Sequence, residues 1–193
     1  MSFYTGTQSE LLYSLTSTVT KNTYTSQAVM SALAAQPKAV VPAGYFSAVP
    51  NGVGRTLLLK AAGTAATTSA ATLAVAVGWD ATAGTVGTSL GTVFPATAPT
   101  AAVTVQWDLE SIIVCTAVGG SSGLTLAHSS CFRMSIVASG GAATNSPISE
   151  FAFTSTSGLN AEVQNFVELL GTWSASAAGN TTTLQQMLLL GLN

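Results

Sequence analysis

Val103-Thr-Val-Gln-Trp-Asp-Leu-Glu110 alternates without a break. Val103, Val105, Trp107 and Leu109 fall on one parity, and Thr104, Gln106, Asp108 and Glu110 on the other. Successive side chains of an extended chain point to opposite faces, so this stretch reads as a strand with one dry and one wet side. The same pattern recurs on both sides of it. Leu73, Val75, Val77 and Trp79 oppose Ala74, Ala76 and Gly78, and Leu124, Leu126, His128, Ser130, Phe132, Met134 and Ile136 form a third alternation. The abundance of Thr and Val suits a pleated surface better than a helix.

Working outward, further strands are expected at Leu11–Val19, Arg55–Ala62 and Ser149–Thr154, with Val163–Trp173 and Thr181–Leu192 as a closing pair. Gly-, Ser- and Pro-rich breaks at Pro50–Gly52, Ala81–Gly91, Gly119–Gly123 and Gly140–Gly141 separate them. The helices that must alternate with strands in a parallel α/β sheet are missing. One segment, Ser26–Gln36, is Ala-rich and stops before Pro37, the composition of a short helix. The expected fold is all-β: a jelly-roll-like antiparallel β-sandwich of about eight strands with a short N-terminal helix. Residues 1–36 would form an N-terminal arm or strand plus that helix, and residues 37–193 the jelly-roll domain, together one structural unit. The expected core is built on Trp79, Trp107, Phe132, Met134 and Trp173, with Ile113 and the leucines.

Charge is scarce. Asp, Glu, Lys and Arg make up 6% of the 193 residues while hydrophobic residues make up 48%. The five basic residues (Lys21, Lys38, Arg55, Lys60 and Arg133) are scattered singly. Nucleic-acid binding needs clustered positive charge, so no nucleic-acid partner is expected. A mean hydropathy of +0.49 raises the question of a membrane. The longest uncharged stretch, between Asp80 and Asp108, carries Gly84, Gly87, Gly91, Pro95 and Pro99 and makes a poor spanning helix. The aromatic girdles of an outer-membrane barrel and a secretory signal are not visible either, so no membrane partner is expected.

The inventory of reactive groups is thin. His128 is the single histidine, sits inside an alternating strand and has no nucleophile motif beside it, which favours a structural or solvent-facing role. Cys115 and Cys131 fall on different parities, which favours two separate thiols over a disulfide, and with one histidine they do not make a closed zinc site. Asp108 and Glu110 share a face, but no oxygen-rich loop accompanies them for calcium, and an outer face met by solvent or by a partner is the simpler reading. Asn180-Thr181-Thr182 matches a glycosylation sequon and reads as a turn into the last strand. No catalytic, metal or cofactor site is expected, and the chain is read as not being an enzyme.

Four stretches in order carry a further signal: RTLLLKAAGT (55–64), ATLAVAVGWD (71–80), VTVQWDLESIIVCTAVG (103–119) and WSASAAGNTTTLQQMLLLGLN (173–193). This order resembles jelly-roll virion structural proteins of tailed bacteriophages, in which an "rAaGT" strand, a central W-x-x-E strand and a terminal "WsaasasNtitlqq…ln" strand recur. The resemblance covers roughly residues 40 to 193 and is most specific at the C-terminus. It implies a capsid decoration or head-fibre protein located in the virion, often a homotrimer, whose partners are its own copies and the major capsid protein or other virion proteins. Trp107, Glu110, Trp173, Asn180 and Gln185 would be structural positions, and no catalytic residue is carried over.

The last strand fits such a role. Leu184, Leu188, Leu190 and Leu192 lie on one parity and Met187 and Leu189 on the other. A strand apolar on both faces is buried on both sides, so Met187, Leu188, Leu189, Leu190 and Leu192 are the expected subunit interface. The competing readings are a tail- or fibre-associated jelly roll that binds host glycan, with Asp80 and Phe94 beside its loop, and a hydrolase dependent on His128.

Overall fold

The computed structural model describes residues 9–22, 24–31, 38–46, 53–67, 71–96, 103–134, 148–177 and 179–192. The strands are β1 (Ser9–Ser14), β2 (Val19–Asn22), β3 (Ala28–Val29), β4 (Val40–Val41), β5 (Thr56–Thr67), β6 (Leu73–Asp80), β7 (Thr88–Ala96), β8 (Val103–Ala117), β9 (Leu124–Met134), β10 (Ile148–Leu159), β11 (Asn165–Trp173) and β12 (Thr181–Leu192). A 3-10 turn at Gly120–Ser122 joins β8 to β9. They form two antiparallel sheets. The seven-stranded sheet runs β1-β12-β5-β8-β9-β10 with β2 also on β12, and the five-stranded sheet runs β3-β11-β6-β7 with β4 also on β11.

The pairing is nested. β1 and β2 pair with β12, β3 and β4 with β11, β5 with β8, and β6 with β7. A chain doubled back on itself and then rolled into two sheets is a jelly roll. The β9–β10 hairpin is an addition that widens the larger sheet beyond β8. Thr154 and Thr156 on β10 donate their hydroxyls to the carbonyl of Leu90 on β7, which draws the far edges of the two sheets together.

One core fills the space between the sheets. Trp79, Trp107, Phe132, Met134 and Trp173 are buried in it with Leu57, Leu59, Leu109, Ile113, Leu124 and Leu126. Trp107 stacks on Phe132 with ring centroids 6.1 Å apart, and Phe46 meets Trp79 at 6.0 Å. No helix among the described residues is long and apolar enough to cross a membrane.

The described residues form twelve strands where about eight were expected. The early strand divides into β1 and β2. β3 replaces the helix expected at Ser26–Gln36: residues 26–31 are not helical, and 32–36 lie outside the described residues. Alanine propensity loses there to pairing. Val29 and Ala28 join Leu170 and Gly171, Met30 N donates to Leu169 O, and Ser31 Oγ accepts from Leu169 N at 3.0 Å. β7 starts within the break read at Ala81–Gly91. Gly91 lies inside it because an added Cβ would meet the Thr154 hydroxyl at 2.7 Å and His128 Nδ1 at 3.0 Å. Ile136 lies outside the described residues.

Candidate protein-contact face

The outer side of the seven-stranded sheet carries a line of residues across six strands that is apolar on all but β9. Leu11 on β1 stands opposite Leu190 on β12, Leu190 opposite Leu58 on β5, and Leu58 opposite Ile112 on β8. Ile112 stands opposite Ser129 on β9, and Ser129 opposite Phe153 on β10. Phe153 is 76% exposed, Leu11 61% and Ile112 42%. The row on one side holds Leu192, Val114 and Ala127, with Thr56 between Leu192 and Val114. Isolated exposed apolar residues are ordinary, but a contiguous set in register marks a contact surface.

A β-bulge decides which residues of β12 reach this face. The register with β5 slips between Leu184 and Gln186, so Gln185 and Gln186 are both exposed. The extra residue reverses the alternation beyond it. The expected grouping of Leu184 with Leu188, Leu190 and Leu192 is therefore corrected: Leu184, Met187 and Leu189 point into the core, while Leu188, Leu190 and Leu192 are half-buried on the outer face. Met187 and Leu189 belong to this chain's own interior.

Two ion pairs border the apolar line. Lys60 Nζ lies 3.0 Å from Glu110 Oε2, and Arg133 Nη1 lies 3.6 Å from Asp108 Oδ2. Each is a direct cross-strand pair, Lys60 opposite Glu110 and Asp108 opposite Arg133. Of the chain's five basic and seven acidic residues, two of each are thus gathered on one face. Exposed pairs of this kind add little stability. Their effect is to leave the face without net charge. The shared face of Asp108 and Glu110 is real, but each carboxylate is answered by a cation.

Beside the bulge the face is hollowed. A groove of about 560 Å³ has Ala61 and Ala62 among its lining, with Met187, Leu188, Lys60 and Arg133 around it. A shallower recess of about 400 Å³ adjoins it over Gly63 and Trp107, lined by Gln106, Gln185 and Gln186. Gly63 is required at this point, because a Cβ would lie 2.0 Å from Thr183 O and 2.8 Å from the Trp107 ring.

The residues considered for chemistry lie elsewhere. His128 points into the core and is fully buried. Its Nε2 lies 2.6 Å from Ser130 Oγ, which donates to Ser111 Oγ at 3.1 Å, and this order places the ring proton on Nε2. Nδ1 has no partner among the described residues. Burial lowers the ring's pKa to about 4, so it stays neutral. The chain Ser111–Ser130–His128 holds no carboxylate. Cys115 is buried and Cys131 half-exposed on the outer face, both as free thiols. Burial pushes the Cys115 thiol up. Asn180 is buried, with Nδ2 donating to Ala175 O at 2.9 Å, so the sequon sits in a closed turn. Asp80 is occupied within its own turn by Thr82 N and the Thr85 hydroxyl. The Phe94 side chain lies outside the described residues. Glu168 is buried on β11 and accepts from Gly84 N at 2.7 Å, and its carboxyl is raised above the ordinary range chiefly by burial. No group of three or more His, Cys, Asp or Glu that would hold a metal ion occurs among the described residues.

Sequence reasoning missed Leu11, Leu58, Ile112 and Phe153 as parts of one surface. A signal was present in Ser111-Ile-Ile-Val114, where an apolar residue occupies the parity held by Asp108 and Glu110. The lateral register that aligns these residues has no local signature. No protein-family model matches this chain, and no curated protein matches it.

Proposed function

We propose that this chain is a non-enzymatic structural protein of a tailed-bacteriophage virion, a decoration protein that binds the head shell and stabilises it as a homo-oligomer. The observation that carries this reading is the outer face of the seven-stranded sheet, where a line apolar on five of six strands is bordered by self-compensated ion pairs. Burying unpaired charges costs several kcal/mol per ion, and a neutral face avoids that cost when it packs on protein. Small Thr, Ser and Ala side chains elsewhere on the surface lose little rotamer freedom on contact. The resemblance of four sequence stretches, in order, to phage jelly-roll virion proteins supplies the setting.

One end of the sandwich suits contact with a shell. Val53, Val86 and Val163 are exposed on turns there. These turns are gathered by the Phe46–Trp79 contact and by Gly44 N donating to Ala161 O. The test is imaging of the phage particle that contains this chain, with heads from a strain lacking it compared for heat release of DNA. The chain is expected as regular protrusions on the head, and heads without it are expected to lose DNA at lower temperature. Its absence from the head surface would overturn the reading, and location at a fibre tip with binding to host glycan would replace it.

A further inference from the structure

Resting on the reading of this chain as an assembly protein, we propose that the outer face of the seven-stranded sheet packs against a second copy of this chain, Phe153 of one copy seated in the groove over Ala62 of the next. The size of the face fits. β5, β10 and β12 are each 12 residues long. At about 3.4 Å per residue and about 4.8 Å between strands, six strands present on the order of 1,000 Å². A stable interface takes about 800 Å² from each partner.

Charge favours a copy of the same face. Lys60–Glu110 and Asp108–Arg133 are closed within one chain, so two such faces meet without stranding a charge. The shapes are complementary as well. Phe153 is the most exposed large apolar side chain among the described residues, and it stands on β10. The groove is lined by Arg133 on β9, Asp108 and Glu110 on β8 and Lys60 on β5, over the small side chain of Ala62. Ala62 stands three strands from Phe153 and four residues along from Leu58, which shares the row of Phe153, about 20 Å in all, so only another copy can set this ring over Ala62. Lys60 and Arg133 line the groove together with their ion-pair partners Glu110 and Asp108, and their cations are placed to meet an entering ring.

The experiment is sedimentation velocity at micromolar concentration on the full chain, Phe153→Lys and Ala62→Trp, with thermal unfolding of each followed by circular dichroism. The intact chain is expected to sediment as an oligomer, and both variants as folded monomers. Phe153 makes little contact within its own chain, so that variant folds. A mixture of Phe153→Cys and Ala62→Cys chains is expected to form an intermolecular disulfide that neither variant forms alone with itself. A monomeric intact chain, or an oligomer undiminished in Phe153→Lys, would overturn the inference. An oligomer that never appears on heads would leave this face standing and remove the decoration role. A monomer found on heads would do the reverse.

Discussion

Leu184 and Met187 lie three residues apart on β12 and both point into the core. In a regular strand residues at that spacing face opposite ways. The bulge at Gln185 supplies the reversal, and through it the three leucines that follow reach the outer face. The bulge takes up one extra residue and so keeps Met187 and Leu189 inward and the three leucines outward.

Deleting Gln185 should restore a regular ladder while keeping Met187 and Leu189 inward, because Gln186 already stands opposite Ala62. That variant is expected to remain soluble and to unfold cooperatively. Deleting Gln185 together with Gln186 should turn Leu188, Leu190 and Leu192 inward and Met187 and Leu189 outward, and the fold should be lost. Circular dichroism melts of the two deletions check this. A cooperative melt for the double deletion would show that the bulge does not set the orientation.

Trp107→Ala removes a buried indole that stacks on Phe132 and closes over Gly63. The expected loss is about 3–5 kcal/mol of stability from lost burial and the cavity left behind. Urea titration measures it. A loss under about 1 kcal/mol would mean that the residues around the indole collapse to fill its place.

Much of the fold is readable from residues such as Val103 to Glu110, because period two survives wherever one strand face is dry and the other wet. β3 and β4 were not readable, since strands of two residues show no period and are held by their partners on β11. The Gln185 bulge was hidden for a different reason: Leu184 to Leu192 is apolar on both parities, so either phase looks acceptable until the register with β5 is known. The contact face combines both difficulties. Leu11, Leu58, Ile112 and Phe153 are far apart in the chain and become one line only through pairing.

His128 makes stability depend on pH. Its folded pKa of about 4 lies below the ordinary value of 6.5 because the ring is buried. Between those values the unfolded chain binds a proton that the folded chain refuses, so stability falls as pH drops from 6.5 toward 4. The loss attributable to this ring approaches about 3 kcal/mol near pH 4. Urea midpoints measured from pH 7.5 to 4 should show this decline, and His128→Gln should flatten it. Equal pH slopes for the two proteins would remove the ring as its source.

Cys131 offers a direct reading of the face itself, because it lies opposite Glu110 on the outer side while Cys115 is buried. Thiol counting under native conditions is the measurement, comparing the intact chain with Phe153→Lys at micromolar concentration. The account predicts that Cys131 is protected in the intact chain and reacts freely in the variant, with Cys115 silent in both. Equal, rapid reaction of Cys131 in both proteins would contradict burial of this face against another copy.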